Sequence, residues 1–183
     1  MTRVVLSIGS NLGDRMARLQ SAVDGLRGSV RALSPVYETD AWGGVEQGPF
    51  LNAIVVADDP HLDGHGWLRR AQALEQANDR VREQKWGPRT LDVDLVCCFE
   101  VSPAGDTEVF SRDDGLTLPH PLAHLRAFVL IPWLAVDPEA KLTVAGEPRR
   151  VDRLLDELEP ADRDGVRLTP LVLNLPAREE SGA

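Results

Sequence analysis

A chain of 183 residues is long enough to bury a sizeable core and short enough for a single domain. Its net charge of −9 and pI near 4.9 argue against a nucleic-acid surface. No apolar run approaches the roughly 18 residues that a membrane span needs. The N-terminus has no signal-peptide pattern, and the two cysteines, Cys97 and Cys98, are adjacent. They suit neither a disulfide framework nor zinc-ligand spacing, so a reduced, cytoplasmic protein is expected.

Residues 3–8 form a β-rich run that ends at Gly9-Ser10-Asn11-Leu12-Gly13-Asp14. Met16, Leu19, Val23 and Leu26 then recur at helical spacing, with Ser10 or Asn11 as the expected N-cap. The glycine turn lacks the Gly-Lys-Ser/Thr ending of a P-loop and the Gly-x-Gly-x-x-Gly of a dinucleotide fold, so it reads as structural. Strands are expected over 30–37 and 50–57, separated by a glycine-rich loop of a length that is more often functional than decorative. A helix is expected over 66–79 and a strand over 91–99. A polar hairpin region follows, then helices near 123–135 and 151–158. Strand, helix, two strands, helix, strand is the ferredoxin-like order. The expected fold class is therefore α+β, a ferredoxin-like α/β sandwich with a mostly antiparallel sheet and helices packed on it.

The densest chemistry lies in Lys85-Trp86-Gly87-Pro88-Arg89-Thr90-Leu91-Asp92-Val93-Asp94-Leu95. In a strand, Asp92 and Asp94 share one face and Leu91, Val93 and Leu95 the other. Two acids about 7 Å apart on one face repel unless a cation lies between them. Mg²⁺, a hard cation that usually carries substrate phosphates, suits the position. Between residues 69 and 89, six basic side chains (Arg69, Arg70, Arg80, Arg82, Lys85, Arg89) face three acids (Glu75, Asp79, Glu83), a local charge of +3 in an acidic chain. That island suits a small polyanion better than nucleic acid.

Gly9-Ser10-Asn11-Leu12-Gly13, Tyr37-Glu38-Thr39, Phe50-Leu51-Asn52, Arg80-Val81-Arg82, the Trp86-to-Leu95 string, Leu118-Pro119-His120-Pro121 and Arg126-Ala127-Phe128-Val129-Leu130 occur in this order. Together they resemble the 6-hydroxymethyl-7,8-dihydropterin pyrophosphokinases, which move diphosphate from ATP to a pterin alcohol in folate biosynthesis. The resemblance spans about residues 4–136. It implies that Asp92 and Asp94 hold two Mg²⁺ ions against ATP. Arg82 and Arg89 would clamp phosphate, with Arg80 and Arg89 as the catalytic cations. Gln72, Glu75, Trp86, Leu95, Thr117, His120 and Arg126 would contact the nucleotide. Phe50 and Phe128 would stack the pterin, Asn52 would read its edge, and Thr39, Asp40, Trp42 and Trp86 would complete its site. The implied partners are ATP and 6-hydroxymethyl-7,8-dihydropterin, with no nucleic acid or membrane, and a monomer is expected.

The resemblance also implies a catalytic domain over 1–160, leaving 161–183 as an extension expected to be mobile. Three positions depart from the family pattern. Asn78-Asp79 precede Arg80 in place of a glycine, Gly115 replaces a basic residue that Arg112 could supply, and Pro121 replaces an aromatic. A non-catalytic, ferredoxin-like nucleotide sensor would share the fold and the positive island. It would not need paired acids, or aromatics flanking an amide. A single-stranded RNA-binding sheet fits the acidic pI poorly.

Overall fold

The computed structural model describes residues 1–41, 46–78, 90–113 and 115–176. Five long or edge-defining strands organise them: β1 (Thr2–Ser10), β2 (Val30–Leu33), β3 (Tyr37–Thr39), β4 (Phe50–Asp59) and β5 (Asp92–Glu100). β4 and β5 flank β1, all antiparallel, while β2 and β3 both pair along the outer edge of β4. The expected single strand over 30–37 is thus two short ones, broken at Ser34-Pro35. Proline cannot donate to the ladder, and the Ser34 hydroxyl there accepts from Ile54 N–H at 2.8 Å. β6 (Thr107–Val109) forms the expected hairpin with β5. β7 (Ser111–Arg112) pairs β8 (Thr117–Leu118), and β9 (Lys141–Val144) pairs β10 (Glu147–Arg150), each as a two-stranded sheet.

Strand alternation assigns each side chain to one of two layers. Val4, Leu6 and Ile8 of β1, with Leu51, Ala53, Val55, Val93 and Leu95, pack under α1 (Arg15–Leu26) and α2 (Gly64–Ala77). Each fully buried Leu or Ile there contributes roughly 1.5–3 kcal/mol. The opposite face meets α3 (Ala127–Val136) and α4 (Val151–Asp156) through Val5, Ile54, Val96, Cys97, Val129, Leu130 and Trp133. A register shift between Val5 and Leu6 leaves Val96 as an extra residue, so Val96 and Cys97 both face this second layer. Cys98 returns to the first layer, and burial raises both thiols, Cys98 to about 11. These are small hydrophobes rather than nucleophiles.

Two details differ from expectation. α1 is capped by Asp14, whose carboxylate accepts from Ala17 N–H at 3.1 Å, because the chain continues through Asn11 to Gly13 before turning. The segment after residue 160, expected to be mobile, contributes a strand to the main sheet and one residue to the core. α5 (Pro160–Asp164) leads into β11 (Val166–Leu168), which extends the main sheet beside β3. Leu173 then enters the first core layer, and Asn174 exchanges two hydrogen bonds with Gln20 of α1. Val166, Arg167, Leu168, Leu173 and Asn174 are each paired or core-directed despite the charged composition around them.

Candidate active site

The register of β1 with its neighbours builds the site. Tyr37, Asn52, Gly9 and Asp92 lie opposite one another across β3, β4, β1 and β5, and the next row brings Ile54, Ser7 and Asp94 together. Leu91, Val93 and Leu95 are core on the other face, so the shared face expected for Asp92 and Asp94 is the face that α3 covers. Asn52 and Asp92 sit two strands apart, roughly 10 Å, and only a glycine separates them. A Cβ on Gly9 would collide with Asn52 Oδ1 and lie 3.5 Å from the Phe50 ring. The glycine motif is therefore no phosphate loop. Its first residue puts no side chain of its own between the amide and the carboxylate, and the Asn52 amide leans into that space.

Asn52 is buried, and its amide donates to Thr39 Oγ1 at 2.5 Å. With Nδ2 on that hydroxyl, Oδ1 lies over Gly9. Phe50 heads β4 on the same face and is only partly buried. Asp40 stands just outside, exposed beside Arg167.

α3 closes the other side of the carboxylates. Arg126 is its N-cap residue and is 6 % exposed; its guanidinium lies 3.8 Å from Asp94 and 5.5 Å over the Phe128 ring. Burial lowers the Arg126 pKa, and Asp94 and Asp92 oppose that shift. The cation stays charged on this acidic face. Phe128, expected to stack a ligand, thus has one ring face toward Arg126.

Arg126 also acts on His120. Burial first, and then the guanidinium, push the imidazole down to about 4. Leu122 N–H donates to His120 Nδ1 at 3.1 Å, so the neutral ring carries its proton on Nε2, ready to donate to an acceptor. His120, Thr117 and Arg112 line a cavity of about 530 Å³, closed opposite by Thr143 to Gly146. Arg112 lies directly opposite Thr117 across β7 and β8. The β9–β10 turn on the far wall is absent from the sequence reading. Its signal was the Ala145-Gly146 pair, both at positive φ, between short strands.

The pH response of this pocket follows from the sign of the shift. His120 is depressed in the folded chain, so neutral imidazole is the favoured native form. The stability tied to it is whole above pH 6.5 and is lost as pH falls toward 4. After allowing for solvent screening, the loss should be about 2 kcal/mol. His120→Gln should flatten that part of a denaturation-versus-pH profile. An unchanged slope would contradict the buried neutral ring.

Some expected residues do not join this face. Leu95 was expected to contact nucleotide, but its side chain is core beneath α1 and α2, because it alternates with Asp94. Gln72 and Glu75 are on α2, across the sheet from the carboxylates, the first exposed and the second buried. Trp42, Arg80, Arg82, Trp86 and Arg89 lie outside the described residues.

A family model for 7,8-dihydro-6-hydroxymethylpterin-pyrophosphokinase (HPPK) matches residues 5–138. The chain belongs to this family. Its activity is the HPPK pyrophosphokinase reaction of folate biosynthesis. Relatives named 2-amino-4-hydroxy-6-hydroxymethyldihydropteridine pyrophosphokinase bracket it. The Mycobacterium tuberculosis protein is 67% identical over 169 residues, covering 92% of this chain and 90% of its own. That of Mycobacterium leprae is 64% identical over 187 residues (99% and 98%), and that of Aquifex aeolicus 31% over 162 (87% and 96%). The Plasmodium falciparum HPPK-DHPS crystal structure with SDX-DHP superposes with a TM-score of 0.60 at 13% identity. It covers 85% of this chain, which spans 44% of that one, and the likeness is one of fold.

Proposed function

We propose that the sheet face beneath α3 carries out Mg²⁺-dependent, in-line transfer of diphosphate from ATP to the hydroxymethyl oxygen of 6-hydroxymethyl-7,8-dihydropterin, releasing AMP. The observation that carries this reading is the Asn52–Gly9–Asp92 row, an amide and a carboxylate on either side of a glycine. A flat pterin fits over such a row. Asn52 would read its amide edge while held by Thr39, and Phe50 would stack its ring. Its hydroxymethyl group would then point along the row toward β5.

Asp92 and Asp94 supply hard oxygen donors on one face, half-exposed, with no third protein carboxylate required. That donor set suits Mg²⁺ ions carried in with substrate phosphates, two being expected. When bound between these carboxylates and the substrate, Mg²⁺ would supply neutralisation of phosphate charge. Arg126 would hold a phosphate oxygen from the α3 side, and neutral His120 would donate to another from Nε2. Thr117 and Arg112 would seat the nucleoside end in the adjoining cavity. Arg80, Arg82, Arg89 and Trp86 complete the proposal from the sequence alone, as do Trp42 and Asp40 on the pterin side. Catalysis is then positioning and charge neutralisation, with no covalent intermediate. The reading extends to a monomeric, cytoplasmic enzyme, again on the sequence alone. Among the described residues no helix is long and apolar enough to cross a membrane.

Metal removal tests the central element. Turnover should stop in excess EDTA and return with added Mg²⁺, while circular dichroism stays unchanged. Undiminished turnover in EDTA would contradict the role given to Asp92 and Asp94.

A further inference from the structure

We propose that the segment from Gly165 to Asn174 is a clasp on the pterin side of the site, and that Arg167 is a positioning residue for pterin binding; the inference rests on the function proposed above. The segment lies beyond residues 5–138, the stretch shared with the family model. It nevertheless contacts the strand that orients Asn52.

Gly165 C=O accepts from Asp40 N–H at 2.9 Å, and Thr169 N–H donates to Val36 C=O at 3.1 Å. With β11 antiparallel to β3, these two bonds set the ladder. Residues 165, 167 and 169 turn their backbone groups toward β3, and 166 and 168 turn theirs away. Thr39, the partner of the Asn52 amide, lies opposite Val166 within this ladder.

Side chains extend the clasp to both ends of the loop after β3. Arg167 reaches Asp40 at 3.1 Å and Glu38 at 3.8 Å. Glu38 also takes Arg15 at 3.1 Å, and the same Arg15 donates to Pro49 C=O at 3.1 Å. Asn11 holds Gln47 and Gly48 C=O at 2.9 and 3.1 Å. The chain Arg15–Glu38–Arg167–Asp40 thus joins the N-terminal stem of the loop, its C-terminal stem and the C-terminal segment. Leu173 in the core and Asn174 on Gln20 anchor the far end of that segment. Each ion pair is exposed and weak alone, so the ladder should carry most of the effect. Releasing it frees Thr39 and Asp40 together and loosens the amide that reads the pterin.

The test compares four variants in the full chain. Arg167→Pro removes an N–H directed at β3, whereas Leu168→Pro removes one directed outward, where an edge strand tolerates proline. Arg167→Ala removes only the charge, and Arg167→Lys restores it. Calorimetric titration with 6-hydroxymethyl-7,8-dihydropterin, in Mg²⁺ and a non-hydrolysable ATP analogue, gives the pterin Kd. Hydrogen exchange of the Asp40 amide reports the ladder itself. Arg167→Pro should raise both the pterin Kd and Asp40 exchange about tenfold, and Arg167→Ala should raise the Kd about threefold. Arg167→Lys and Leu168→Pro should stay near wild type, and ATP-analogue affinity and kcat at saturating pterin should not move. Faster Asp40 exchange with an unchanged pterin Kd would overturn the clasp, as would equal losses in both proline variants. Wild-type protein that binds pterin but forms no AMP would sink the proposed reaction, and the Kd comparison would still decide the clasp.

Discussion

Asp94→Asn is expected to lower kcat/KM at least about a thousandfold, because on the proposed reading it removes one of the two ligands that would hold Mg²⁺ against the phosphates. Two like charges on one strand face repel, so by itself the loss of one acid would hold or slightly raise the stability of the unliganded protein. The Arg126 guanidinium 3.8 Å from Asp94 reverses that sign. Removing the acid leaves a buried cation with less compensation, and the half-exposed position limits the cost to under about 1 kcal/mol. Asp92→Asn should match the activity loss with a smaller change in stability. Steady-state kinetics and urea denaturation on both variants check the pair. Wild-type activity in either one would remove the metal assignment.

Asn52→Ala is expected to weaken pterin binding about a hundredfold or more while leaving nucleotide affinity within about twofold, since a site that reads hydrogen bonds loses most when one member is deleted. The substitution also strips Thr39 of its donor at a position 1 % exposed, so a stability loss of about 1–3 kcal/mol should accompany it. Separate calorimetric titrations with pterin and with Mg²⁺-ATP analogue distinguish the two effects. Equal weakening of both ligands would mean that Asn52 holds the sheet rather than the ring.

The placement of the two carboxylates is legible in the sequence. Period-2 alternation put Asp92 and Asp94 on one face against Leu91, Val93 and Leu95, and the ladder of β5 keeps them there. The order of elements implied the antiparallel sandwich. What periodicity could not supply was register. That Gly9 falls between Asn52 and Asp92 depends on how three distant strands align, and the glycine looked like turn chemistry because it sits at the end of its strand. Leu95, expected from its motif to contact nucleotide, has its side chain in the core, where alternation alone places it. The contacts of residues 166–174 were hidden for a related reason. The charged composition around them suggests solvent, but Leu173 and the backbone of β11 find long-range partners that no local pattern announces. The β9–β10 turn was overlooked because strands of four residues carry little periodic signal.

The most direct measurement mixes the protein with ATP, Mg²⁺ and 6-hydroxymethyl-7,8-dihydropterin and quantifies AMP, ADP and the pterin product by chromatography. The account predicts AMP and pterin diphosphate in equal amounts, neither forming when pterin is omitted, and none of either with Asp94→Asn. ADP as the nucleotide product, or AMP released without pterin, would contradict it.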